Sequence, residues 1–413
     1  MKNNFIEVTP PKPKAILAGV SLGLLDDTID TTADSMRELK ALAETAGYEV
    51  IGQIVQNKQK KERSTYFGSG KIEEIKELAE DAETIIIDDE IMGSQERNLT
   101  NLIGKNIVDR TKLILNIFKM RAESKEGQLQ VRLAELKYKM TRLAGEYYTG
   151  EMVKTSVGGG KRGVQESQLE LDKRKLRYQI SIIQKELDEV RKIRHTKRKS
   201  RDKSDILQIA LVGYTNSGKS TLLNTISGAS VLAKDMLFAT LDPFSIKFSL
   251  PSGREAILCD TVGFIRKLPH SLIAAFSSTL EESLNCDILL HVIDSASHEY
   301  ELHERIVDNL LEKLGAGNKP IIKVYNKSDI SGYNDGISAK KNIGIEALLE
   351  EVERIAYKNF IEVDLLIPYD KGSLLKTVYD NATVESETYE NEGTKLHIKI
   401  EKTRASQFEE YII

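Results

Sequence analysis

Apolar and polar positions between Lys14 and about Phe118 follow two periods in turn. Strand-like apolar runs occur in AILAGVSL, GYEVIGQIV and TIIIDDE. The stretches TADSMRELKALAETA, KIEEIKELAEDA and GSQERNLTNLIG instead space their apolar residues as a helix does. Because strands and helices take turns, this region predicts a parallel sheet with helices packed on it.

Residues 121 to 204 replace this alternation with a heptad pattern in a charge-rich background. Two apolar stripes share this spacing: Leu129, Leu133, Leu136, Met140 and Leu143 in the first, and Leu169, Leu176, Ile180, Ile183, Leu187 and Val190 in the second. Two helices with matching stripes, joined by one loop, predict an antiparallel helical hairpin.

The predicted loop of the hairpin, at about 145 to 165, is rich in glycine. It also carries aromatic and cationic residues: Tyr147, Tyr148, Lys154, Lys161 and Arg162. Flexible backbone, aromatic faces and positive charges suit contact with RNA, in which bases stack on rings and phosphates meet Lys or Arg. A disordered tip explains the glycines equally well.

Charge is distributed unevenly along the 413 residues. The chain carries a formal net charge of -4, but residues 121 to 204 hold 22 Lys and Arg against 12 Asp and Glu, which leaves +10 there and -14 elsewhere. A basic middle between acidic ends indicates a polyanion bound by one part of the molecule only. A solvated helical surface is the alternative.

The remaining composition indicates a cytoplasmic protein. Its two cysteines, Cys259 and Cys286, form neither a metal spacing nor a disulfide framework. The N-terminus has no signal-peptide core, and no apolar run approaches the length of a membrane span. We therefore expect a soluble cytoplasmic protein without a membrane span. We also expect it to be a monomer.

The segment ILQIALVGYTNSGKSTLLNTI contains a phosphate loop between a predicted strand and a predicted helix. Its glycines let backbone N–H groups face phosphates, at the positive end of the helix dipole. Lys219 is expected to bridge the outer phosphates, and Ser220 to ligate magnesium. The residues expected to bind the nucleotide here are Gly213, Tyr214, Thr215, Asn216, Ser217, Gly218, Lys219, Ser220 and Thr221.

A second motif selects the base. In YNKSD, the residues Asn326, Lys327 and Asp329 match the guanine-reading sequence of Ras-like GTPases. The Asp329 carboxylate can accept two hydrogen bonds from guanine, whereas adenine offers no such donors. A third motif, Ser338-Ala339-Lys340, is expected to place the Ala339 N–H at guanine O6. The ligand is therefore predicted to be GTP or GDP.

Two switch segments lie between these motifs. Thr240 is placed to close over magnesium and the γ-phosphate, and Asp260 to hold magnesium through water. The N–H of Gly263 is expected to sense the γ-phosphate. Phe264 stands where Ras-type enzymes usually place a glutamine that orients the attacking water. We expect catalysis to involve Lys219, Thr240, Gly263 and Phe264, with Mg²⁺ as cofactor.

Several of these segments carry a more specific resemblance. The stretches IALVGYTNSGKSTLLN, LFATLDP and DTVGFIRKLPHSLIAAF, together with YFGSGKIEEI, LILNIF and KEGQLQVRLAELKY, resemble the HflX family of translation-associated GTPases over most of the chain. The resemblance implies a multidomain α/β protein, in which a P-loop Ras-like G domain joins three further parts. We expect an N-terminal parallel α/β domain at 1–120, a hairpin at 121–204, the G domain at 205–360 and a small C-terminal α+β domain at 361–413.

The resemblance also implies a partner and a role. Members of the family bind the large ribosomal subunit and are linked to splitting or rescuing stalled ribosomes, with the hairpin tip directed towards the peptidyl transferase centre. This chain departs from the family at its tip, where GGGKRGVQESQLE has Val164 and Gln165 in place of Pro-Gly. A second departure is Ser277, where Arg or Lys is common.

The family resemblance makes Phe264 an expected residue, because related GTPases also carry an apolar side chain there. Hydrolysis must then rely on backbone groups around Thr240 and Gly263, or on a group from the partner, and we expect slow turnover that the 50S subunit accelerates. Asn216 resembles the asparagine of potassium-activated GTPases. Its alternative role is to stabilise the loop.

Two other functions fit the same motifs. The protein could be a nucleotide-gated RNA-binding switch with negligible catalysis, or an assembly factor that docks on immature subunits. Scattered histidines give no support to a metal hydrolase.

Overall fold

The computed structural model describes residues 11–23, 31–147, 160–199, 206–228, 237–238, 244–269, 272, 286–358 and 360–413. Within these residues, the structure contains three separate sheets and one long helical hairpin. The predicted α/β architecture, with a P-loop G domain and an N-terminal parallel sheet, is confirmed.

The N-terminal sheet contains four parallel strands in the order β2-β1-β3-β4. The strands are β1 (Lys14–Ser21), β2 (Glu49–Asn57), β3 (Thr84–Ile87) and β4 (Asn106–Asp109). Helices α1 (Thr32–Thr45), α2 (Ser69–Leu78), α3 (Gly93–Ile103) and α4 (Arg110–Arg121) connect or follow them. Because helices cover both faces, β1 is an almost continuous apolar run, buried from Ala15 onwards.

The hairpin consists of α5 (Lys125–Tyr147) and α6 (Gly160–Lys199). Leu136, Leu143, Leu169 and Leu176 are buried together between these helices, as the heptad stripes predict. The predicted loop of 145 to 165 is too long, because 145–147 and 160–165 are helical. A helix already nucleated over 23 or 40 residues extends at little cost, even through glycine.

The central sheet has five strands in the order β6-β7-β5-β8-β9. The strands are β5 (Leu207–Gly213), β6 (Phe244–Ser249), β7 (Glu255–Asp260), β8 (Ile288–Asp294) and β9 (Ile321–Asn326). All pairs are parallel except that of β6 with β7. Helices α7 (Lys219–Ser227), α8 (Tyr300–Lys313), α9 (Ser328–Ser331) and α10 (Ile345–Ala356) accompany this sheet.

The C-terminal sheet is antiparallel, in the order β10-β12-β11. It contains β10 (Phe360–Ile367), β11 (Thr383–Tyr389) and β12 (Thr394–Glu401), with α11 (Gly372–Asn381) between the first two. The sequence of this domain predicts a strand, a helix, two strands and a terminal helix. That last helix is only one α-helical turn, α12 (Lys402–Ala405), followed by a 3-10 helix at Ser406–Tyr411. Phe408 of that segment is buried against the sheet, so packing and not helix length fixes the end of the chain.

In the described ranges, no helix is both long enough and apolar enough to cross a membrane.

Candidate nucleotide-binding site

The phosphate loop joins the carboxyl end of β5 to the start of α7. Its two motif glycines are required by close contacts. A Cβ at Gly213 would lie 2.3 Å from the carbonyl oxygen of Val292, and one at Gly218 would lie 2.2 Å from Asn326 Nδ2. Gly218 also has a φ of 95°, a conformation that side chains disfavour. The loop can therefore pack against β8 and β9 only with glycine at both positions.

Lys219 is held at the centre of this loop. Its Nζ donates to the carbonyl oxygens of Gly213, at 3.1 Å, and Tyr214, at 2.9 Å. Burial lowers the pKa of Lys219 to about 8, although the negative charge of Asp260 opposes the shift. A bound polyphosphate would restore the preference for the charged ammonium.

The predicted magnesium ligands lie together at the mouth of the loop. Ser220 Oγ donates to Asp260 Oδ2 at 2.6 Å, which joins the start of α7 to the end of β7. A hydroxyl beside a carboxylate offers the hard oxygen ligands that Mg²⁺ prefers, so these residues fit the ion. Thr240, the third predicted ligand, lies outside the described residues.

A second group in the described chain brings together possible metal ligands, namely Asp34, His298 and Glu299. Two arginines form ion pairs with the carboxylates of this group. Arg37 contacts Asp34 at 2.8 Å, and Arg266 contacts Glu299 at 2.7 Å. Since guanidinium groups supply the positive charge there, this group forms an ion-pair cluster.

Asn326 connects the motifs predicted to bind guanine to the phosphate loop. Its Nδ2 donates to Ser217 O at 2.9 Å, and its Oδ1 accepts from the Ala339 N–H at 3.0 Å. The N–H predicted to meet guanine O6 is thus positioned by Asn326, and in this structure it is bonded to that residue. Lys340 beside it is exposed.

A neighbouring hydroxyl group favours the charged form of the Asp329 carboxyl group, which accepts hydrogen bonds. Ser338 Oγ donates to Asp329 Oδ1 at 2.7 Å, and this hydrogen bond lowers the pKa of the carboxyl group. Lys327, with a φ of 65°, extends its ammonium to Asp294 Oδ2 at 2.7 Å. Asp294 was not singled out from the sequence; its position at the end of β8, beside β9, is the signal that could have identified it.

The segment after Asp260 runs alongside the phosphate loop. Phe264 N–H donates to Gly213 O at 3.0 Å, and Thr215 N–H donates to Phe264 O at 2.7 Å. The Phe264 side chain is 2% exposed and packs in an apolar cluster that includes Tyr214. Phe264 therefore fastens this switch segment to the loop through its backbone, while its ring lies in the core.

Gly263 is pressed against the same loop. A Cβ there would lie 2.9 Å from Thr215 Cα and 3.1 Å from Lys219 Nζ. No side chain fits at this position, so a glycine is needed to bring the switch backbone next to Lys219.

Asn216 is the exposed residue of the loop and has a φ of 62°. Asparagine tolerates this left-handed conformation better than most residues. The loop-stabilising role considered from the sequence is therefore supported by the backbone.

The N-terminal domain reaches this switch through Glu38 of α1. The Glu38 carboxylate accepts hydrogen bonds from the Tyr214 hydroxyl, Arg110 and Arg266. The Tyr214 hydroxyl in turn accepts from the Arg266 N–H at 2.8 Å. Sequence reasoning missed this group, because its members are up to 228 positions apart and no local pattern joins them.

Further contacts support the same junction. The Tyr214 ring stacks on His303, with centroids 3.8 Å apart and planes 12° from parallel. Lys267 Nζ contacts Asp88 Oδ2 at 2.6 Å, at the carboxyl end of β3. The phosphate loop and switch segment are thus in direct contact with the N-terminal domain.

Five residues are predicted from the sequence to contact RNA. Tyr148 and Lys154 fall outside the described residues, as do the side chains of Tyr147, Lys161 and Arg162.

Comparison with known proteins agrees with these motifs. Residues 208–327 match a family described as 50S ribosome-binding GTPase. Residues 33–119 match the N-terminal region, and residues 121–201 the middle region, of a family described as GTP-binding GTPase.

The solved structures that this chain matches include a GTP-binding protein from Sulfolobus solfataricus in complex with GDP. It is 24% identical and has a TM-score of 0.43, covering 84% of this chain and 99% of its own. A complex described as SsGBP and GDP is 26% identical, with a TM-score of 0.46 and the same coverage.

Curated relatives share a higher sequence identity with this chain than these solved structures do. A protein named GTPase HflX from Caldanaerobacter subterraneus subsp. tengcongensis is 44% identical over 403 residues, covering 95% of this chain and 92% of its own length. The protein of the same name from Escherichia coli is 38% identical over 384 residues, covering 89% of each chain. The family predicted from the motifs is confirmed: this chain belongs to the HflX family of GTPases.

Proposed function

We propose that this protein hydrolyses GTP on the large ribosomal subunit, in ribosome splitting, recycling or rescue of stalled ribosomes. The observation that carries the proposal is a guanine-nucleotide site in which Phe264 replaces the water-orienting glutamine and is 2% exposed. Such a site binds and senses GTP but needs help to cleave it. The family description of a 50S ribosome-binding GTPase supports the large subunit as the source of that help.

Each sequence motif supplies one of the groups that the proposed reaction needs. Lys219 binds the outer phosphates, and the backbone at Gly263 meets the γ-phosphate. Asp329 would accept hydrogen bonds from guanine, and the Ala339 N–H, which donates to Asn326 Oδ1 at 3.0 Å in this structure, would donate to guanine O6 once it leaves Asn326. Ser220 and Asp260, with Thr240, would hold Mg²⁺, which neutralises charge on the β- and γ-phosphates when bound.

Phe264 leaves the attacking water without a side-chain partner. Its ring is packed in the core, so backbone groups near Gly263 and Thr240, or a group from the partner, must orient the water. Turnover by the free protein is therefore slow. Contributions from partner groups reach about 10³- to 10⁵-fold in GTPases that receive an arginine finger.

The basic hairpin is the proposed RNA-binding part. Residues 121 to 204 carry a net charge of +10, which favours binding to a phosphate backbone. The proposed contacts at the tip are Tyr147, Tyr148, Lys154, Lys161 and Arg162.

A monovalent cation is a second proposed source of catalytic help. Asn216 is exposed on the phosphate loop, where its amide oxygen could take part in a K⁺ site. If K⁺ takes this role, GTP turnover will be faster in potassium buffer than in sodium buffer. Equal rates in the two buffers would leave Asn216 with its backbone role alone.

Sedimentation separates the proposed function from its alternatives. With a non-hydrolysable GTP analogue, we expect the protein to sediment with mature 50S subunits, and with GDP to remain in solution. An assembly factor would sediment with precursor particles only. A switch without catalysis would sediment with mature subunits in the GTP state yet gain no turnover from them.

A further inference from the structure

The C-terminal sheet has one covered edge and one open edge. At the β10 edge, the end of the chain forms a bridge between Leu365 and Ile412, and the Ile413 N–H donates to Asp364 O at 2.9 Å. At the other edge, β11 pairs with β12 and with no other strand of the described chain. Open strand edges present N–H and C=O groups with which another chain can pair.

Three exposed tyrosines surround this open edge. Tyr369 is 58% exposed, Tyr379 is 51% exposed and Tyr389 is 75% exposed. We call them, with Glu387 and Glu390, the tyrosine patch. Aromatic side chains of this size are enriched in protein interfaces, where their rings become buried.

The patch is internally organised by hydrogen bonds. The Tyr379 hydroxyl donates to Glu387 Oε2 at 2.7 Å, and the Tyr369 hydroxyl donates to Glu390 O at 2.8 Å. A hydrogen bond to Glu387 also raises the pKa of Tyr389. The rings are therefore held beside the strand edge with one carboxylate among them.

The charge of this surface determines which class of partner it can bind. Between residues 369 and 392 there are six Asp and Glu against two Lys and Arg, and residues 361 to 413 carry 11 against six, a net of -5. Ammonium and guanidinium groups are attracted both to carboxylates and to the faces of tyrosine rings. A phosphate backbone is repelled, so RNA does not suit this surface.

We propose that the open edge of β11 and the tyrosine patch together bind an extended protein segment rich in lysine or arginine, which adds a strand to the sheet. Backbone hydrogen bonds along β11 would supply affinity, and alternate side chains of the segment would reach the tyrosine rings and Glu387. This site is distinct from the nucleotide site and from the hairpin, and it does not depend on the proposed ribosomal function.

The test uses the full-length protein and a fluorescent peptide of alternating lysine and valine. We expect this peptide to bind, and the double variant Tyr379→Ser with Tyr389→Ser to weaken its binding about tenfold. Tyr178→Ser is the matched control, because Tyr178 is 68% exposed on the hairpin. It should leave peptide binding unchanged, and GDP binding by all variants should remain unchanged.

Three comparison ligands test the charge preference of the site and the addition of a strand. A peptide with glutamate in place of lysine should not bind, and an RNA oligonucleotide should not compete. A lysine peptide N-methylated at alternate residues should bind much more weakly, since it cannot complete the hydrogen-bond ladder. Equal binding of the methylated peptide would refute strand addition, while competition by RNA, or full binding by the double variant, would refute the site.

Discussion

Phe264 is the residue at which this nucleotide site departs most from the Ras type. Its N–H and C=O pair with Gly213 and Thr215, while its ring is buried beside Tyr214. An apolar side chain is suited to this position because it anchors the switch segment in the core. A polar side chain would have to be buried there or would release the segment.

Phe264→Gln is accordingly expected not to raise GTP turnover by the free protein. The glutamine amide would be buried in an apolar cluster, which should lower the free energy of unfolding by about 3 kcal/mol. Single-turnover hydrolysis and thermal unfolding measure the two effects. Phe264→Leu is the control, since it keeps the site apolar and should cost about 1 kcal/mol. A faster Phe264→Gln protein would show that the side chain reaches the nucleotide.

Lys219 predicts a dependence of GDP affinity on pH. Its pKa is lowered to about 8 in the free protein, and bound phosphates raise it, so binding takes up a proton. Affinity should therefore be highest below about pH 8 and fall as the pH rises further, by about fourfold between pH 7 and pH 8.5. Isothermal titration calorimetry at several pH values measures this change.

Guanosine is the matched ligand for this experiment. It shares the base and its titration with GDP but has no phosphates, so its affinity should change much less over the same range. If the affinities for GDP and guanosine fell equally as the pH rose, the titrating group would lie at the base and would not be Lys219.

Sequence motifs single out residues whose roles are set by local geometry. Gly213, Gly218 and Gly263 belong to such motifs, and each leaves no room for a Cβ in the structure, while their roles towards the phosphates stay predictions. Glu38 and Arg266 could not be predicted, because their partners become neighbours only after separate domains have folded.

At the scale of elements, the principal contact joins α1 to the switch segment. Arg110 and Arg266 are 1% and 2% exposed, and both bind Glu38, whose side chain is 9% exposed. Without Glu38, each buried guanidinium group would keep only one carboxylate, Asp88 for Arg110 and Glu299 for Arg266, and the positive charge of the group would be only partly compensated. The stability of this contact therefore depends on Glu38 more than on surface charges of the same helix.

Glu38→Ala is expected to loosen the switch segment locally, at a cost of about 2 to 4 kcal/mol. Hydrogen exchange of the Arg266 amide, which donates to Tyr214, should become faster by about thirtyfold or more. Glu44→Ala, on the same helix, is the control, because Glu44 is 55% exposed and contacts Lys40 at 4.0 Å. If both variants exchanged at the same rate, Glu38 would have no special part in the contact.

The sequence predicted which segments form helices and strands better than it predicted where those elements end. The N-terminal strands and helices follow their periodicity, because each buries one apolar face or run. The hairpin loop and the C-terminal helix were misjudged in length, since helix propagation and the packing of Phe408 depend on the surrounding structure.

At the scale of the whole molecule, two oppositely charged parts precede and follow the G domain in the sequence. The hairpin carries +10, and residues 361 to 413 carry -5. The N-terminal domain contacts the phosphate loop through Glu38 and the switch segment through Asp88. Such an arrangement can bind RNA and protein on separate surfaces while the central domain holds the nucleotide.

We expect the large ribosomal subunit to complete the hydrolysis that Phe264 leaves unfinished. GTP turnover by the purified protein alone and with purified 50S subunits, in potassium buffer, tests this expectation. We predict slow turnover alone and a large stimulation by the subunits. Turnover that stays at the free-protein rate, while the protein still binds 50S in the GTP state, would show that the subunit does not complete the site.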